Sequence, residues 1–186
     1  MIAGSARGRR LKGPPGRPRG RASDVRPSSD LVRGALFDAL SALGADFTHT
    51  LDLYAGTGAL GIEAMSRGAQ SCCFVEKNRA MAAVIRENLA AIGFTDASGV
   101  IVAPVERAIG RLAGPYTLVL ADPPYADAAA MALLERLAQS GAIDGDHGTI
   151  VFEHSSREEA AAAIGAFLLV RSLRHGDSSV SIYQPD

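Results

Sequence analysis

Leu51-Asp52-Leu53-Tyr54-Ala55-Gly56-Thr57-Gly58-Ala59-Leu60-Gly61 is the stretch on which the fold turns. Apolar residues run into a turn of closely spaced glycines, and helix-forming residues follow, so the segment reads as a strand that passes directly into a helix. Gly56 and Gly58 permit a tight turn and a close approach of backbone to ligand, and Gly61 lets the helix lie close to the sheet. Glu76 follows twenty residues after Gly56, at the end of the next apolar run. A carboxylate at that place can accept hydrogen bonds from both ribose hydroxyls of a nucleoside.

The pattern Gly-x-Gly-x-x-Gly also matches the dinucleotide fingerprint, so an NAD-dependent oxidoreductase is the alternative of another reaction class. Two features favour S-adenosyl-L-methionine. Asp52 lies inside the strand, where dinucleotide fingerprints carry apolar residues, and a carboxylate there can reach the cationic methionine end of the cofactor. The helix start also lacks a basic residue, as suits a ligand without phosphate. The candidate cofactor residues are Asp52, Tyr54, Ala55, Gly56, Thr57, Gly58, Glu76 and Lys77, with Asp122 further along the chain.

Working outward, strand-like runs occupy 50–54, 71–76, 99–103, 116–121, 148–153, 166–171 and 179–183, and helical patterns fall at about 58–67, 78–92, 105–112, 127–140 and 156–164. This alternation predicts right-handed βαβ units, a mainly parallel sheet and helices on both faces. The last two runs are separated only by a short turn at His175-Gly176-Asp177, which predicts one antiparallel strand. Pro27-Ser28-Ser29-Asp30 is a helix-start signal before Val32, Leu36, Ala39, Leu40 and Leu43 at helical spacing.

Thr117-Leu118-Val119-Leu120-Ala121 is a buried strand, and Asp122-Pro123-Pro124-Tyr125 stands at its carboxyl end, where doubly wound sheets bind ligands. The prolines fix φ and lack amide protons, which holds the loop rigid. An exocyclic amine on guanine or adenine is a poor nucleophile, because its lone pair is delocalised into the ring. Asp122 and the Pro123 carbonyl can accept its hydrogens and aim it, with Pro124 stiffening the loop and Tyr125 stacking on the base. Such positioning and electrostatics supply much of a methyl-transfer rate. The base must be unstacked to enter.

The chain has 186 residues, enough for one full core. Its net charge of -1 conceals a division: residues 1–33 are near +7 and the remainder near -8. A basic arm on an acidic body points to a polyanionic partner. The run Gly13–Pro27 is rich in Pro, Gly and Arg and reads as a mobile linker. Residues 1–27 are therefore expected to form an arm and linker, and 28–186 the catalytic domain. Cys72 and Cys73 are adjacent and read as small buried hydrophobes in a reducing compartment. No zinc-like spacing, membrane span or apolar leader is present in the sequence, so no metal and no membrane partner are expected, and the expected location is cytoplasmic.

The glycine motif together with Asp122-Pro123-Pro124-Tyr125 resembles the class I methyltransferases. More specifically, Ile2 to Leu11, then Arg26-Pro27-Ser28-Ser29-Asp30 with Val32-Arg33 and Leu36-Phe37, resembles the RsmD family. That likeness continues through Ala55 to Gly61, Glu63-Ala64, Ser66 to Ala69 and Phe74-Val75-Glu76. It implies a Rossmann-like class I methyltransferase fold with a seven-stranded, mostly parallel sheet. It also implies methylation of N2 of guanine 966 in 16S rRNA, on the 30S subunit or an assembly intermediate. Arg7, Arg9, Arg10, Arg26 and Arg33 become phosphate contacts beside the pocket. A second target within the same chemistry is adenine N6 in DNA or RNA. The chain departs from the family at Ala6, where Trp is common, and at Gly34, where Glu is usual. Ala103-Pro104-Val105 offers no side chain for the cofactor adenine, leaving that contact to backbone or Glu106.

Overall fold

A computed structural model of the chain describes residues 1–14, 27–124 and 127–186. Among them, the order is α1 (Pro27–Ala42), β1 (His49–Leu53), α2 (Ala59–Ser66), β2 (Ser71–Val75), α3 (Arg79–Ile92), β3 (Ser98–Ile101), α4 (Val105–Ala108), β4 (Leu118–Ala121), α5 (Ala130–Gln139), β5 (Thr149–Ser155), β6 (Ala163–Ile164), β7 (Phe167–His175) and β8 (Ser178–Pro185). The linker expected at 13–27 lies almost wholly outside the described residues.

The strands form one sheet in the order β3-β2-β1-β4-β5-β8-β7-β6. β1 to β5 are parallel, β8 is antiparallel to both β5 and β7, and β6 is antiparallel to β7. The alternation of the β4 side chains divides the core. Leu118 and Leu120 pack with Leu36, Phe37 and Leu40 of α1, while Val119 and Ala121 pack with Leu134 and Leu137 of α5. Cys72 and Phe74 of β2 meet Ile62 of α2 and Ile85 and Leu89 of α3. No helix among the described residues is long and apolar enough to cross a membrane.

Three expectations need correction. The described sheet has eight strands, not seven; two of them, β6 and β8, rather than one run against the others; and the helix expected at 156–164 does not form. Alanine is the strongest helix former, but propensity is a small energy per residue that tertiary pairing overrides here. Ser156 donates its amide to the Asp177 carbonyl at 2.8 Å and its hydroxyl to the Gly176 carbonyl at 3.1 Å. Both bonds tie this segment to the β7–β8 turn. Ile164 is then fully buried as half of the short β6, which turns through Gly165 (φ 59) into β7. The extra strand accordingly comes from the segment expected to be helical. α1 starts at Pro27, within the expected start signal and at a first-turn position to which a proline is suited.

The amino-terminal arm is docked, and a buried carboxylate holds it. Glu63 of α2 is fully inaccessible to solvent. Its two oxygens accept the amides of Ile2 and Ala3, each at 3.0 Å, and Arg67 Nε donates at 3.0 Å. Arg33 Nε of α1 lies 3.8 Å away. One turn further along, Ser66 accepts from Ser5 and Ala6 at 2.7 and 2.9 Å. Gly4 (φ 78) passes so close that a Cβ there would lie 1.6 Å from the Ser66 carbonyl oxygen. Ile2 rests on Gly34, and Ala6 is buried.

Removing this carboxylate leaves two amides without an acceptor in a buried site and costs Arg67 one of its two carboxylate partners, the other being Asp38. Glu63→Ala is therefore expected to lower stability by roughly 3–5 kcal/mol. It should also release the arm to tryptic cleavage after Arg7 and Arg9. Urea unfolding and timed proteolysis measure both, and unchanged values for the variant would contradict the assigned role.

Candidate active site

The parallel register builds the site. Ile101, Val75, Leu53, Ala121 and Phe152 lie in one row across β3, β2, β1, β4 and β5. The next residue of β2, β1, β4 and β5 is respectively Glu76, Tyr54, Asp122 and Glu153, so these four emerge together at the carboxyl rim. β1 is also where strand order reverses, which is where open parallel sheets form their ligand crevice. A cleft of about 970 Å³ lies there, lined by Tyr54, Glu76, Lys77, Ala103–Glu106, Asp122–Pro124, Asp127 and Arg136, among others. That volume lies in the range of small-molecule and cofactor sites.

Glu76 joins the two loops beside this cleft. Its Oε2 accepts the Gly56 amide at 2.9 Å and its Oε1 accepts the Asn78 amide at 2.7 Å. Each oxygen keeps acceptor capacity beyond those two bonds. Asn78 in turn caps α3 through the amides of Ala80 and Met81. Gly58 has φ 80, and its amide closes the turn onto the Ala55 carbonyl at 2.7 Å. Gly61 admits no larger residue, because a Cβ would lie 2.5 Å from the Phe74 ring and 2.7 Å from the Cys72 sulfur. Tyr54 takes φ 57, an unusual value for a side-chain-bearing residue. Burial pushes its phenol up, aided by the Asp127 charge.

Asp52 sits differently from the other candidates. It is 2% exposed, and its Oδ2 accepts the Gly61 amide at 2.9 Å. Burial holds its carboxyl well above the usual range. It does not line the cleft; it fixes the first turn of α2. Asp122 is exposed at the cleft rim, with protein packed close around the rest of the group. Burial, followed by the negative charge of Glu153, raises it to about 7. Pro123 and Pro124 lie beside it in the cleft wall, and Tyr125 lies outside the described residues.

Of the candidate phosphate contacts, Arg7, Arg9 and Arg10 are exposed on the docked arm, and Arg9 donates to the Ala91 carbonyl at 2.8 Å. Arg33 is turned toward Glu63, with its side chain 14% exposed. Arg26 lies outside the described residues. A helix-interior asparagine was missed from the sequence. Asn88 of α3 accepts the Lys12 amide at 2.7 Å and donates to the carbonyls of Lys12 at 3.2 Å and Thr57 at 3.0 Å, so it couples the arm to the glycine loop. The available signal was asparagine, a poor helix former, amid an otherwise strong helical pattern.

The family model described as "Conserved hypothetical protein 95" matches residues 1–184. The chain belongs to this family. Its membership places the RsmD resemblance on nearly the whole length, and the fold is that of a Rossmann-like class I methyltransferase. The chain is 32% identical to "Putative rRNA methyltransferase YlbH" of Bacillus subtilis, over 99% of this chain and 97% of that protein. It is 34% identical to "Ribosomal RNA small subunit methyltransferase D" of Escherichia coli K12, over 67% of this chain and 59% of that one. The solved structure "Putative methyltransferase yhhF from Escherichia coli" superposes with a TM-score of 0.78 at 28% identity, covering 100% of this chain and 97% of that one.

Within this family fold, the adjacency of Asp122 and Glu153 has a direct readout. An NMR titration of the Asp122 carboxyl carbon is expected to give a midpoint near about 7, with Glu153→Gln moving it downward. A midpoint in the ordinary carboxylate range near about 4, unmoved by the substitution, would show that the two groups do not face each other.

Proposed function

We propose that this chain transfers a methyl group from S-adenosyl-L-methionine to the exocyclic N2 of a guanine in 16S rRNA, in the 30S subunit or a precursor of it. The observation that carries the proposal is the placement of Glu76 and Asp122 in one row above the strands, facing one cleft. The family relatives named as rRNA methyltransferases support the same reading and remove the footing of the oxidoreductase alternative.

The residues present fit the cofactor. Glu76 is oriented by two backbone amides and is available to the ribose hydroxyls. The backbone of Ala103–Val105 and the side chain of Glu106 line the cleft where the adenine would rest. Ala55, Thr57 and Gly58 shape the turn beside the ligand, and Lys77 borders its outer side. The sulfonium methyl of the bound cofactor is an electrophile whose departing thioether needs no acid.

The protein's own contribution is to hold the amine. Deprotonated Asp122 accepts one N2 hydrogen, the Pro123 carbonyl accepts the other, and the nitrogen lone pair turns out of the ring plane toward the methyl group; as the N–C bond would form and the S–C bond break, the surplus N2 proton would pass to Asp122 and on to solvent. Protonation removes the acceptor charge, so transfer should decline as pH falls through the raised value of Asp122, about 7. Exposed Arg7, Arg9 and Arg10 supply phosphate contacts, and Arg33 acts through Glu63 by holding the arm. An rRNA substrate also accords with the expected cytoplasmic location.

The direct test is transfer from labelled S-adenosyl-L-methionine to 30S particles from cells lacking their own guanine-N2 enzyme, followed by nucleoside analysis. Label in N2-methylguanosine is expected from wild type, and at least a hundredfold less from Asp122→Ala with S-adenosylhomocysteine binding retained. Label in N6-methyladenosine alone, or equal turnover by the variant, would overturn the proposal.

A further inference from the structure

β4 and β5 run in register from Leu118 opposite Thr149 to Ala121 opposite Phe152. The next pair at the rim is Asp122 and Glu153, two carboxylates on adjacent strands. Side chains alternate along a strand, so Asp122 continues the side of Leu120 and Glu153 that of Val151, the α1 side in both cases. Glu153 lines a recess of about 270 Å³ that shares Pro123, Pro124 and Asp127 with the larger cleft.

Its neighbours in the strand are locked in place. Phe152 and His154 stack with ring centroids 5.5 Å apart, and the imidazole is held by the Ser181 hydroxyl at 2.9 Å and the Ser155 carbonyl at 3.0 Å. Glu153 pairs through its backbone with Val180 of β8, while its carboxylate has no hydrogen bond or ion pair among the described residues. A half-buried carboxylate beside a second carboxylate, with no cation against it among the described residues, is unfavourable in the free protein. A ligand that brings two adjacent hydrogen-bond donors relieves it.

We infer that Glu153 reads the N1–H of the target guanine while Asp122 holds its N2 amine, an assignment that rests on the function proposed above. Guanine presents N1–H directly beside the N2 hydrogens, so its edge supplies donors to both carboxylates. Adenine presents its N6 hydrogens beside the N1 lone pair, which would face the Glu153 charge. Glu153 thus accounts for selection of guanine N2 over adenine N6 on a loop chemistry that serves either amine. The recess position also explains why the pair spans two strands: one carboxylate aims the reacting nitrogen and the other recognises its neighbour in the ring.

The test uses the full chain and RNA substrates that differ at the target base alone, guanine or 2-aminopurine. The latter keeps the exocyclic amine but has an acceptor at N1. Wild type should prefer guanine. Glu153→Gln replaces the acceptor by an amide that can donate to N1. It is expected to lose about 10- to 100-fold in kcat/KM on guanine, the worth of one charge-assisted hydrogen bond. Its preference for guanine over 2-aminopurine should narrow by about tenfold or more, with S-adenosylhomocysteine affinity unchanged. An equal loss on both bases would mark a structural role and overturn the inference, as would an unchanged preference. Wild type that binds S-adenosylhomocysteine but leaves the guanine substrate unmethylated would instead overturn the proposed function, and this assignment with it.

Discussion

Parallel register is the constraint on which the rest of the molecule depends. With Leu53 opposite both Val75 and Ala121, and Ala121 opposite Phe152, four strands present their next residues at one level. A shift of one residue in β4 would send Asp122 to the opposite face and put Ala121 at the rim, because side chains alternate with a period of two. Burial of Val119 and Ala121 against α5, and of Leu118 and Leu120 against α1, excludes that shift. The packing that stabilises the sheet therefore also sets the geometry of the cleft.

Around this row, buried carboxylates hold irregular backbone in place. Asp52 secures the start of α2, Glu76 joins the loops after β1 and β2, and Glu63 fastens the arm. Each accepts backbone amides that ordinary helix or strand pairing leaves free, which is how a turn-rich rim stays ordered. The cost is visible at Tyr54, with its left-handed backbone, and at Asp122, whose weakened acidity reflects an environment unfavourable to its charge. Strain concentrated at a ligand-facing rim is the usual sign that the rim is shaped for an occupant.

The doubly wound sheet was legible because its signals are local: apolar runs of strand length, glycines at the β1–α2 turn, and helical spacing between. Glu76 and Asp122 were legible because each sits one residue beyond a strand end, a place whose chemistry the fold dictates. Glu63 and Asn88 were not, since their partners lie some sixty and seventy-six residues away along the chain. Asp52 was legible as a strand carboxylate beside the glycine turn, but its bond to the Gly61 amide, nine residues on, was not. The 156–164 segment was read as helix from composition, and the decisive contacts, to Gly176 and Asp177, again lie far along the chain. Glu153 had no motif to mark it; only the β4–β5 register brings it beside Asp122.

The row above β2, β1 and β4 is proposed to join cofactor and target amine in one cleft, and a crystal structure of the chain with S-adenosylhomocysteine is the sharpest test. Both ribose hydroxyls are expected on Glu76, the adenine against Ala103–Val105, and the sulfur turned toward Asp122. A ligand with its ribose away from Glu76, or its sulfur facing away from Asp122, would contradict it.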